Sequence, residues 1–100
     1  MNNNKLIELS GKVGKAYKIL PCWNYSDIIE EITWLHEDST RCFELAIENN
    51  LWIKPMENFV RVYESEFNSL AESYLIHDND KLQATRVAIL KKLLKFEDII

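Results

Sequence analysis

Glycine and proline are scarce in this chain, two of each in 100 residues. Sandwiches and barrels draw on both residues for their frequent tight turns, so the shortage argues against an all-β fold and for helices. Long apolar runs are missing too. The longest, such as Val87–Leu90, hold three to four residues, far short of the roughly 20 that cross a bilayer as a helix. The two cysteines, Cys22 and Cys42, fit no metal spacing and are too few for a disulfide scaffold. The first residues carry neither the apolar stretch nor the small-residue cleavage site of a secretion signal, and the expected setting is the cytoplasm.

Enzyme signatures are absent as well. Gly11-Lys12-Val13-Gly14-Lys15 resembles a phosphate-binding loop only superficially. The glycine five residues before the Gly-Lys pair is missing, and Ala16 stands where a Ser or Thr would hold magnesium. His36 and His77 have no ligand partner three or four positions away on a helix, and no Glu-x-x-His motif occurs. Asp78-Asn79-Asp80 lacks the glycine and the terminal glutamate of a calcium loop and reads as a turn with a helix cap. Cys22 has no histidine positioned to activate it. The expectation is a non-enzyme, with no catalytic residue, no cofactor and no metal.

What is present is an ordinary globular composition, 47% hydrophobic and 28% charged, of a length that suits a single domain over residues 1–100. Four segments carry helical periodicity. In the first, over 4–20, Leu6, Leu9, Val13, Tyr17 and Leu20 share one face, with Asn4 as cap and Pro21 as stop; Gly11 and Gly14 weaken it. In the second, over 25–48, Ile28, Ile32, Leu35, Ser39, Cys42 and Ala46 alternate spacings of four and three, and Asn49-Asn50 ends the run. The third, over 55–76, opens on Pro55 and aligns Met56, Phe59, Val60, Tyr63, Phe67, Leu70, Ala71 and Tyr74. The fourth, over 80–97, is capped by Asp80 with Gln83 three residues on, and buries Leu82, Ile89, Leu90, Leu93, Leu94 and Phe96. Short connections make neighbours antiparallel, so the fold expected is all-α: a four-helix, up-down-up-down bundle. A continuous second helix separates Cys22 from Cys42 by about 23 Å, too far for a disulfide.

Charge is unevenly distributed. Residues 26–78 hold 12 acids against Arg41, Lys54 and Arg61, a net of −9, and the remainder holds four acids against nine bases, a net of +5. In a bundle this gives an acidic side on the second and third helices and a basic side on the first and last. Trp34 and Leu45 fall off the buried stripe of the second helix, with Asp38 and Arg41 between them and Glu30, Glu37 and Glu44 around them. Large apolar residues rimmed by acids suit a protein interface. In size, acidity and helical content the chain is similar to small bacterial immunity proteins, antitoxins and phage-encoded inhibitors. That likeness covers the whole length and rests on no motif.

The function expected is a non-catalytic protein-binding module of the inhibitor or immunity/antitoxin type. It would mask a basic partner, such as a nuclease or another nucleic-acid-binding protein, through Trp34, Leu45, Glu30, Glu37, Asp38, Arg41 and Glu44. Two alternatives stand beside it. A nucleic-acid-binding or regulatory protein would use Lys12, Lys15, Lys18, Lys91, Lys92 and Lys95. A structural homodimer would bury Trp34 and Leu45 against a second copy. Arg86, in the middle of the last apolar face, reads either as a snorkelling side chain near Glu72 or a tyrosine hydroxyl, or as a holder of an anionic ligand.

Overall fold

A computed structural model describes residues 3–17, 22–26, 29–33 and 35–95, with the backbone alone for the strands within 22–33. Its elements in order are helix α1 (Asn3–Ala16), strands β1 (Cys22–Ser26) and β2 (Ile29–Thr33), a 3-10 turn (Leu35–Glu37) and helix α2 (Ser39–Glu48). Strands β3 (Trp52–Pro55), β4 (Phe59–Tyr63) and β5 (Ser69–Ser73), a second 3-10 turn (Leu75–His77) and helix α3 (Lys81–Leu93) follow. The architecture is α+β, and the four-helix bundle is overturned by a three-stranded antiparallel sheet in the order β3-β4-β5. No helix among the described residues is long and apolar enough to cross a membrane.

The third expected helix, 55–76, is that sheet. Phe59-Val60-Arg61-Val62-Tyr63 alternates with period two: Val60 and Val62 are fully buried, while Phe59, Arg61 and Tyr63 face the other way. Register pairs Val62 with Ile53 and Leu70, and Val60 with Pro55 and Glu72, which sets the inner face. β-Branched and aromatic side chains fit this pleated, half-buried surface. Pro55 does not open a helix. It ends edge strand β3, where a missing N–H costs the ladder least.

The second expected helix, 25–48, is broken into three pieces. Strands β1 and β2 pair antiparallel, with Trp23 opposite Ile32 and Asn24 opposite Glu31. The segment is rich in Trp, Tyr, Ile and Thr, which favour strands. A helix begins only at Ser39, because the Asp38 side chain accepts from the Arg41 N–H at 3.1 Å and caps a fresh start. The first expected helix is observed through Ala16, and its last residues, 18–20, lie outside the described residues. Gly11 has nothing within 4 Å of the position of a Cβ, so no close packing calls for it.

The last helix starts where its cap places it, with Asp80 accepting from the Gln83 N–H at 3.0 Å. Its burial differs from expectation. Leu82 is 57% exposed, whereas Ala84, Val87, Ala88, Ile89, Leu90 and Leu93 are all buried. The reason is position: α3 packs on β4 and β5, and also on α2, α1 and the Leu35–Glu37 turn. A helix covered from several sides buries more than one stripe. Turns manage without glycine because Asn50, Asp78, Asn79 and Lys95 adopt the left-handed backbone, which Asn and Asp tolerate best.

Candidate functional site

Two buried polar clusters join the layers. In the first, the Ser10 hydroxyl accepts from the His36 backbone N–H at 3.1 Å and lies 2.7 Å from His36 Nδ1; both residues are 2% exposed. Burial, more than any neighbour, lowers the pKa of His36. The imidazole is therefore neutral, and its proton belongs on Nε2, which faces the Glu37 carboxylate at 3.5 Å, so the Ser10 hydroxyl donates to Nδ1. The pair resembles a nucleophile and its base, but it is sealed in the core and pins α1 to the chain before α2. Arg86 extends the same cluster. Its guanidinium donates to the His36 carbonyl at 2.8 Å, Ser39 Oγ at 2.6 Å and Gln83 Oε1 at 2.7 Å. This is neither the Glu72 neighbourhood nor an open anion pocket, and three neutral acceptors make Arg86 a tie between α3 and the start of α2.

The second cluster lies between the sheet and α3. Glu72, on the inner face of β5, accepts from Lys91 at 2.8 Å and lies 2.8 Å from His77 Nε2; Glu72 and His77 are both buried. Glu64 pairs with Lys95, and lies 3.8 Å from the fully buried Lys92 ammonium. Lys91 and Lys92 thus face carboxylates inside the molecule, Lys95 meets Glu64 at the surface, and Lys12 pairs with Glu8 on α1. The basic side expected on the first and last helices is largely neutralised.

The acidic side is redistributed by the fold. Glu57 and Glu66 sit in turns at opposite ends of β4, and Glu72 is buried. No single acidic face joins the second and third expected helices. Of the interface residues, Trp34 lies outside the described residues, and Glu30 is on β2 opposite Tyr25, where no helix aligns it with the rest. Leu45 is 6% exposed and belongs to the core, so it is no surface anchor. Asp38 is committed to capping α2, and Arg41 is half-buried. Glu37 and Glu44 are exposed.

One residue passed over in the sequence completes this face. Ile47 is 76% exposed on the outer side of α2, three residues after Glu44 and beside Glu48. Arg41, Glu44, Leu45 and Glu48 line a shallow recess on its flank. The signal was available. With a helix starting at Asp38, the buried stripe Cys42, Leu45 and Ala46 leaves Thr40, Glu44, Ile47 and Glu48 facing outward.

Chemistry has little to work with among these groups. Cys42 is fully buried, donates to the Leu35 carbonyl at 3.0 Å, and has its thiol pushed up to about 12 by burial. No group of three or more His, Cys, Asp or Glu able to hold a metal ion occurs among the described residues. No protein-family model, curated protein or solved structure matches this chain.

Proposed function

We propose that this chain is a non-catalytic protein-binding module of the inhibitor or immunity/antitoxin type, which masks a basic partner with the outer face of α2. The observation that carries this reading is Ile47, an exposed large apolar residue with Glu44 and Glu48 exposed on the same outer side of α2. The acids attract a cationic partner and speed its approach, while Ile47 supplies apolar area that becomes dry on contact. Leu45 and Ala46 beneath the face hold α2 to the core, so the surface is presented in a fixed shape. A cytoplasmic setting suits the free thiol of Cys42, which a reducing compartment keeps unpaired. The nucleic-acid alternative through the last helix is weakened by the carboxylates already facing Lys91, Lys92 and Lys95.

The test is a photo-crosslinking residue placed at position 47 in the producing cell. It should trap one basic protein, and Glu44→Lys with Glu48→Lys should slow association with that protein far more than they speed dissociation. Crosslinks only to a second copy, or to nothing above background, would set this reading aside.

A further inference from the structure

Among the described residues Phe67 is the most exposed large apolar side chain, at 90%. It sits in the turn 64–68, which joins β4 to β5. Such turns favour Gly, Asn, Asp or Ser, which fit the bent backbone or bond to it. Ser65 and Asn68 do that work here. Ser65 Oγ accepts from the Phe67 N–H at 3.3 Å, and the Ser65 carbonyl accepts from the Asn68 N–H at 3.3 Å. The Asn68 carbonyl in turn accepts from the Glu64 N–H at 2.8 Å, and Glu64 pairs with Lys95 beyond the end of α3. The ring is carried on a braced turn, and almost all of it is left in water. Its place in the fold is close to α2. Register sets Trp52, at the start of β3, opposite Tyr63 at the end of β4, and Tyr63 opposite Ser69 at the start of β5. Two strand spacings, about 10 Å, therefore separate Trp52 from the far side of the turn. Trp52 follows Glu48, the last residue of α2, by four residues, at most about 14 Å of chain. Ile47 and Phe67 thus lie at one end of the sheet, and each has an exposed glutamate beside it in the chain, Glu48 and Glu66.

We propose that Phe67 is a second anchor for the protein that binds α2: its ring enters an apolar pocket on that partner, and Glu66 meets a Lys or Arg on the pocket's rim. This inference rests on the α2 reading and extends its footprint to the β4–β5 turn. Single exposed apolar residues are common and need no explanation. Two at one end of the molecule, each flanked by an exposed carboxylate, match an interface with aromatic and aliphatic anchors inside a charged rim. A standard interface covers about 800 Å² on each partner, which is enough to take in both. The turn's own hydrogen bonds leave little backbone to order on binding, so the ring's burial is turned into affinity. Other occupants suit the charges less well. Anionic lipid headgroups would repel Glu66, and a second copy would bring Glu66 against a chain of net charge −4.

The experiment places the photo-crosslinking residue at position 67 in the producing cell, in parallel with position 47, and then measures affinity for the protein trapped from 47. Both positions should trap the same basic protein, and Ile47→Arg should reduce the crosslink from 67. With that protein purified, Phe67→Ala should weaken affinity about tenfold or more, and Glu66→Lys should act mainly by slowing association. Phe67 and Glu66 are exposed, so both variants should keep the thermal midpoint of the parent; that midpoint is measured beside each titration. A protein trapped from 47 whose affinity is unchanged by folded Phe67→Ala overturns this inference and leaves the α2 reading standing. So does a crosslink from 67 that reaches only lipid or a second copy while 47 traps the basic protein. Nothing trapped from 47 removes the α2 reading, and with it the shared partner proposed here, whatever position 67 traps.

Discussion

Helices α2 and α3 are of similar length and are used in opposite ways. In α3 nearly every side that is not a terminus is covered: Ala84, Val87, Ala88, Ile89, Leu90 and Leu93 are buried, and its charged residues Arg86, Lys91 and Lys92 turn inward to named partners. In α2 only Cys42, Leu45 and Ala46 are buried, and Thr40, Glu44, Ile47 and Glu48 face water. The difference assigns the roles. α3 is the post on which sheet and helices are assembled, and α2 lends one face to that post and keeps the other free. Changes along α3 should therefore register in stability, and changes on the outside of α2 should register in binding alone.

The sharpest way to break this comparison is to disturb the charges beneath α3. Glu72→Ala leaves Lys91 and His77 facing a buried gap, and should destabilise by about 3–5 kcal/mol in a denaturant titration. Restoring an apolar pair with Glu72→Leu and Lys91→Met should recover much of that loss; a double variant as weak as Glu72→Ala would show that the cluster does more than balance charge. Leu90→Ala, wholly in the core, should cost about 2–5 kcal/mol, and a loss below about 1 kcal/mol would remove α3 from the centre of the molecule.

How much of this was legible before the fold was known varies by element. The α3 start was readable because Asp80 and Gln83 form a local signal that no distant contact alters. Ile47 was readable too, since Cys42 and Ala46 fall on the buried stripe whether the helix begins at 25 or at 39, and Ile47 lies off that stripe in both. The sheet was hidden by arithmetic. A spacing of four, such as Phe59 to Tyr63, keeps residues on one side of both a helix and a strand, so it cannot separate the two periods. Val62, two residues after Val60, is the position that decides, and five-residue strands offer few such positions. His36 is legible as a satisfied histidine at the edge of the second apolar stripe, but the burial of Lys92 and Glu72 could not be read at all, because it follows from which layers cover α3 and not from neighbours in the chain.

Smaller effects sharpen the comparison where α1 meets the rest. Ser10→Ala removes the partner of both the His36 backbone N–H and Nδ1 and should cost about 1–3 kcal/mol. His36 also gives a signed pH dependence. The unfolded chain takes up a proton near pH 6.5, whereas the folded His36 does so only at lower pH. Stability from this group is therefore complete above pH 6.5 and is lost as pH falls through the folded value, with a slope of at most about 1.4 kcal/mol per pH unit. Urea titrations from pH 7 to pH 5 should show a shallower decline in His36→Gln than in the parent, and parallel declines would mean that His36 is not the group responsible.

The smallest stability change expected anywhere in this set belongs to Ile47, and it carries the most weight. Ile47→Arg is to be measured twice: unfolding free energy in urea, and affinity for the protein trapped by the crosslinker at that position. The expected result is stability within about 0.5 kcal/mol of the parent and affinity lower by about tenfold or more. Unchanged affinity, or a loss of stability large enough to explain the weakened binding, would contradict the division of labour between α2 and α3.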